Sequence, residues 1–232
     1  MGLNAGISAS GISVDYHGIQ LTKPPMPARK LSFRALKDIS FDINEGETVA
    51  IMGNNGAGKS TLLKLLSGKL RPSSGHAEIS GKIVHLSGVD PGFDLYLSPR
   101  QNISWLASIY GAKPDDLISD VEEFSDIGEA FDRPVRTLSS GMRGRVGFGF
   151  ATSLNPGILL IDEVLGVGDP SFKAKAMNRL RGMISRSGIV IMSTHSVGLV
   201  KEIGSRCIVL NEGAIIHDGD VEEGIGIYLG TR

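Results

Sequence analysis

Apolar positions along this chain fall into short unbroken blocks separated by stretches with helical spacing. Thr48 to Met52, Ile158 to Ile161 and Ile189 to Met192 are compact apolar runs, the pattern of strands buried on both faces of a parallel sheet. Ile12 to Tyr16 alternates like a short strand. Leu62, Leu63, Leu65 and Leu66 predict a helix that leaves a glycine-rich turn at Gly53 to Ser60 and ends at Gly68. From Asp115 to Asp132 the chain carries acids and no base. There Leu117, Ile118, Val121, Phe124, Ile127, Ala130 and Phe131 recur at steps of three and four, which predicts an acidic amphipathic helix or helix pair. Phe172, Met177, Leu180 and Ile184 mark another helical stripe with Gly188 beyond its end. Arg206 to Leu210 and Ala214 to His217 flank Asn211-Glu212-Gly213 as a hairpin, and a short helix follows over Asp220 to Leu229. Strands alternating with helices predict an α/β fold. It is read as a single domain over 1–232 with a helical insertion near 99–150.

Composition narrows this picture. A chain of 232 residues with net charge −1 has no global electrostatic grip on nucleic acid or anionic lipid, so no nucleic-acid partner is expected. Its single cysteine, Cys207, excludes an internal disulfide framework and a cysteine-based zinc site. Glycine is abundant, 31 residues without a collagen period, which favours tight turns and close backbone approach to a ligand. The longest uncharged stretch, between Arg145 and Asp162, is broken by Asn155-Pro156-Gly157 and offers no spanning helix. Met1 to Asp15 lacks a basic start followed by an apolar block, so no signal peptide is expected. Lys23 to Lys37 is a basic, proline-rich arm whose simplest reading is a solvated loop.

Chemistry concentrates in three places. Gly53-Asn54-Asn55-Gly56-Ala57-Gly58-Lys59-Ser60 has the form G-x-x-x-x-G-K-[ST]. Its glycines let backbone N–H groups turn inward on phosphate oxygens at a helix N-terminus. Lys59 would reach the β- and γ-phosphates, and the Ser60 hydroxyl would ligate Mg²⁺. Ile158 to Ile161 ends in Asp162 and Glu163. Beside a phosphate loop, Asp162 would hold the Mg²⁺ shell and Glu163 would deprotonate a water for attack on the γ-phosphate. Leu138-Ser139-Ser140-Gly141-Met142-Arg143, taken alone, is a helix-cap and turn signal.

The order of these segments, followed by Gly168-Asp169 and by Ser193-Thr194-His195-Ser196, resembles the nucleotide-binding subunit of ATP-binding-cassette transporters from about Ile12 to Gly219. The resemblance implies a P-loop NTPase fold of this type, with an N-terminal antiparallel β-subdomain and the helical insertion. It implies ATP bound by Gly53 to Ser60 and Thr61, and catalysis by Glu163 with His195 as the switch histidine that contacts the γ-phosphate. Tyr16, or its competitor Phe33, would stack on adenine. Ser139, Ser140 and Gly141 would act in trans on the other protomer of a head-to-tail homodimer, with Asp169 in the dimer-coupling loop. Two features depart from the family pattern. Ser140 and Met142 stand where Gly and Gln are commonest, and no Gln lies between Lys82 and Arg100, where Asp90 or Asp94 could substitute or the site could rely on Glu163 alone.

Pro91-Gly92-Phe93, Arg100-Gln101-Asn102, Leu138-Ser139-Ser140-Gly141-Met142-Arg143 and Asp162-Glu163-Val164-Leu165-Gly166-Val167-Gly168-Asp169 are similar to the polysaccharide exporters, which move capsular polysaccharide, O-antigen or teichoic acid. The chain looks like the short type without a C-terminal carbohydrate-binding domain. The resemblance implies a multi-spanning membrane permease as partner, a lipid-linked polysaccharide engaged only indirectly, and a peripheral seat on the cytoplasmic face of the bacterial inner membrane. Trp105, the only tryptophan, lies where the membrane subunit would dock or else packs the insertion. The alternatives are a cassette serving another transported substrate and a soluble ATPase of the same superfamily.

Overall fold

A computed structural model of the chain describes residues 5–20, 29–87, 91–162 and 170–231. In chain order the elements are β1 (Gly6–Gln20), β2 (Arg29–Asn44), β3 (Thr48–Met52), α1 (Lys59–Leu66), β4 (Ser74–Ser80) and β5 (Ile83–Ser87). Next come α2 (Pro99–Ile109), α3 (Pro114–Ser125), α4 (Ser140–Ser153), β6 (Ile158–Asp162), α5 (Pro170–Arg186) and β7 (Ile189–Ser193). The chain continues through α6 (Val197–Ile203), β8 (Arg206–Asn211), β9 (Ala214–Gly219) and α7 (Val221–Gly230), and short 3-10 turns occupy Gly128–Asp132 and Val135–Thr137.

These elements form two compact units. The first holds 1–85, 157–163 and 188–232. In it a three-stranded antiparallel sheet of order β2-β1-β4 accompanies a six-stranded sheet of order β5-β6-β7-β3-β8-β9. In the larger sheet β6, β7, β3 and β8 run parallel and β9 turns back on β8. The three apolar blocks read from the sequence are β3, β6 and β7, buried along nearly their whole length. Ile12, Leu36, Ile39, Leu62, Leu63 and Leu66 join them in one core, so the leucines of α1 are buried together with the strand residues. At about 2 kcal/mol per fully buried leucine, that face fixes α1 and therefore the loop leading into it.

The second unit holds 86–156 and 164–187. It is wider than the stretch 99–150, because α5 packs with the helices. Phe124 of α3 stacks on Phe148 of α4 and meets Phe172 of α5 edge-on. Arg179 of α5 is paired with Asp120 of α3 and donates to Thr152 Oγ1 at 2.8 Å. The buried stripe of α5 is Phe172, Ala176, Leu180 and Met183, with Met177 and Ile184 only half-buried. The acidic segment resolves into a helix and a 3-10 turn. Asp126 takes a left-handed conformation (φ 50°) that closes α3 before the chain restarts at Gly128.

Candidate functional site

Parallel strands present their carboxyl ends along one edge, and ligands of open α/β sheets bind there. In the first unit three neighbouring strands, β6, β7 and β3, deliver the residues in question. Asp162, Ser193 and Ile51 lie in register across these strands. Beyond Ile51, β3 runs through Met52 into the loop that begins at Gly53. Beyond Ser193, β7 runs into His195, and Thr194 N–H donates to the Ile51 carbonyl at 3.4 Å.

The loop itself is held by its backbone. Ala57 N–H donates to the Asn54 carbonyl at 3.1 Å, and Leu62 N–H donates to that of Gly58 at 2.9 Å. Gly58 caps α1 with φ 108°, where a Cβ would lie 2.8 Å from the Ala35 carbonyl oxygen, so only glycine fits. The tip of the β8–β9 hairpin braces the loop from outside, as Gly213 N–H donates to the Ala57 carbonyl at 3.0 Å. No side chain caps α1 and no acid stands in its first turn, so its N–H groups favour an anion.

Lys59 is buried, and its Nζ donates to the carbonyls of Gly53 and Asn54 at 2.7 and 3.1 Å. Ser60 Oγ donates to Asp162 Oδ1 at 3.3 Å. A hydroxyl and a carboxylate brought this close are hard oxygen donors of the kind Mg²⁺ takes when it is shared with substrate phosphates. A cavity of about 260 Å³ opens here, lined by the loop residues Asn55, Gly56, Gly58, Lys59, Ser60 and Thr61 and also by Tyr16, Phe33 and His195. Tyr16 and Phe33 are direct partners across the β1–β2 pair, so both rings share one face at the mouth of the cavity. Tyr16 is 40% and Phe33 61% exposed, and the Tyr16 hydroxyl lies 3.5 Å from Thr61 Oγ1.

Ser139, Ser140 and Gly141 belong to the second unit, where they open α4. Ser139 Oγ accepts from Met142 N–H at 3.2 Å, a helix cap, and the helix N-terminus is exposed with no acid in its first turn. Glu163, Asp169 and Asp90 lie outside the described residues. Asp94 accepts from the backbone N–H of Tyr96 at 2.8 Å.

Several residues have surroundings in the structure that the sequence does not announce. His85 in β5 has both ring nitrogens buried with no hydrogen-bond partner among the described residues. Burial pushes its pKa down to about 4, the positive charges of Lys69 and Lys64 adding to this and Asp162 opposing it. Asn102, fully buried, accepts from Asp94 N–H and donates to the carbonyls of Asp94, Leu97 and Ser98, so it shapes the loop before α2. Gln101 closes a capping box with Ser98, and Arg100 bridges Glu122 and Asp132 at 2.8 and 2.7 Å. The segment 100–102, quoted above for its resemblance, is thus an internal framework of the helical unit.

The family described as ABC transporter matches residues 36–166. A teichoic acids export ATP-binding protein of Listeria innocua is 35% identical over 233 residues, covering 96% of this chain and 69% of that protein. An O-antigen export system ATP-binding protein of Yersinia enterocolitica is 40% identical over 79% of this chain and 78% of its own. A solved ATP-binding cassette dimer, in a post-hydrolysis state bound to ADP and Pi, superposes with a TM-score of 0.71 at 22% identity, covering 93% of this chain and 98% of that one. The ATP-binding subunit of another ABC transporter gives 0.73 at 22% identity, covering 97% and 94%. At that identity the two structures speak for the fold, and the sequence matches speak for the family. The chain belongs to the ABC transporter family, as one of its ATP-binding cassettes.

Proposed function

We propose that the chain is the ATP-hydrolysing subunit of an exporter of lipid-linked cell-surface polysaccharide, of the capsular, O-antigen or teichoic acid type. The observation that carries the enzymatic part is the meeting of Lys59, Ser60, Asp162 and His195 at the ends of three adjacent strands. The choice of cargo is supported by the names of the teichoic acid and O-antigen relatives.

Adenine would lie on the Tyr16 and Phe33 face, with the triphosphate wrapped by residues 53–61. Lys59 would exchange its carbonyl partners for the β- and γ-phosphates. Ser60 and Asp162 would hold Mg²⁺, whose contribution when bound is to neutralise charge on the β- and γ-phosphate oxygens. Glu163 would take a proton from the attacking water as its oxygen bonds to the γ-phosphorus. The bond to the bridging oxygen then breaks, giving ADP and inorganic phosphate. His195 would donate to a γ-phosphate oxygen. Ser139, Ser140 and Gly141 of a second copy would close the site from the other side, with Asp169 coupling the two copies. No helix among the described residues is long and apolar enough to cross a membrane. The pathway for the polymer would therefore lie in a permease, with this subunit bound at its cytoplasmic face.

The test is a pair of variants. Glu163→Gln should keep ATP binding, lose on the order of a hundredfold in turnover and accumulate an ATP-bound dimer. Lys59→Ala should weaken nucleotide binding itself. Near-normal turnover in Glu163→Gln would remove Glu163 from the role of base.

A further inference from the structure

The end of α7 and its cap bond to two residues of the candidate site, the cavity-lining His195 and Asn54 of the phosphate loop. Tyr228 is fully buried, and its hydroxyl lies 2.8 Å from His195 Nδ1, 33 residues earlier in the chain. The two rings sit with centroids 6.2 Å apart. Three residues beyond Tyr228, the Thr231 carbonyl accepts from Asn54 Nδ2, inside the phosphate loop, at 2.7 Å. Thr231 is fixed in turn, since its N–H and its Oγ1 both donate to the Tyr228 carbonyl, at 3.3 and 2.8 Å. The helix lies close on β8, because a Cβ at Gly224 would come 2.6 Å from Cys207 Sγ. One short helix is thereby seated on the sheet, tied to the phosphate loop and tied to the cavity histidine.

We propose that Tyr228 is a positioning residue for His195, its hydroxyl donating to Nδ1 so that the neutral imidazole carries its proton on Nε2. The inference rests on the reading of His195 as the group that meets the γ-phosphate. A neutral imidazole has one donor and one acceptor nitrogen, and the bond made by one fixes the state of the other. A phosphate oxygen only accepts. With Nδ1 occupied as acceptor, Nε2 is left as the donor such an oxygen needs. The opposite arrangement, with Nδ1–H donating to Tyr228, would leave a lone pair on Nε2 to face the phosphate. A phenol hydroxyl buried away from water is costly to leave unpaired, which favours keeping this contact. The ring is therefore set before nucleotide arrives, and setting it costs no reorganisation during the reaction.

Tyr228→Phe removes the hydroxyl and keeps the ring. In the purified chain it should lower kcat for ATP about tenfold, the equivalent of one lost hydrogen bond, with KM little changed. Nitrogen-15 spectra of His195 should move from the Nε2–H tautomer toward a mixture, a readout that needs no turnover. In a His195→Ala background the same substitution should have no further effect. An unchanged tautomer in Tyr228→Phe would overturn the proposal, as would an equal loss of kcat in the His195→Ala background, which would mean that Tyr228 acts through the fold alone. Normal turnover in His195→Ala itself would instead overturn the reading of His195.

Discussion

His85 couples a buried position to the acidity of the solvent. Its imidazole is held near a pKa of about 4, against 6.5 for a free ring, first by burial and then by Lys69. Between those two values the unfolded chain binds a proton that the folded chain refuses. Stability due to this residue is therefore complete above pH 6.5 and is lost as pH falls toward 4. Discounted for the part of the residue open to solvent, the loss is about 1–2 kcal/mol. His85→Leu should abolish this component. Melting temperatures at neutral and mildly acidic pH will show a steeper decline for the wild-type chain than for the variant. Parallel declines would mean that the buried ring already finds a partner when protonated. Cys207 shows the same force with the opposite sign, since burial pushes its thiol up to about 11.

Among the elements, α2 carries the clearest outward message. Trp105 is 58% and Ile109 62% exposed, four residues apart and so on one face of the helix. That exposure leaves both side chains open to a partner, and we propose them as part of the face that would meet the permease. Trp105→Ala should change stability by less than about 0.5 kcal/mol, as expected of an exposed site, and leave basal ATP turnover intact while uncoupling transport in the assembled exporter. A variant that transports normally would remove this face from the interface.

The elements that sequence reading reaches most readily are those that one physical pattern determines. β3, β6 and β7 are buried on both faces, so their apolar runs are unbroken, and the phosphate loop is bound by a backbone geometry that dictates its residues. β1 extends from Gly6 to Gln20, well beyond the Ile12 to Tyr16 alternation, because irregularities between Ala9 and Asp15 break the two-residue period. Tyr16 and Phe33 look like rivals in sequence and turn out to be cross-strand partners. The contacts of Tyr228 with His195 and of Thr231 with Asn54 join segments distant in the chain, and no local pattern announces them.

In the molecule as a whole the expected parts of the ATP site are divided. The phosphate loop, Asp162 and His195 stand in one compact unit, and Ser139 to Gly141 open a helix in the other. A cassette completed by a second copy needs both units from different chains, which a two-fold dimer satisfies at two equivalent sites. The Ser139 cap sets a limit on how that site can be probed, since its removal costs about 1 kcal/mol of helix stability, so variants need a check of folding by circular dichroism.

Mixing Ser139→Arg chains with Lys59→Ala chains tests this most directly. Each variant alone spoils both sites of its homodimer, whereas a heterodimer concentrates both lesions in one site and leaves the other whole. Random pairing makes half of the dimers mixed, so ATP turnover should recover to about a quarter of the wild-type value, while neither variant alone turns over. No recovery, with heterodimers demonstrated in the same sample, would contradict a site shared between two copies of this chain.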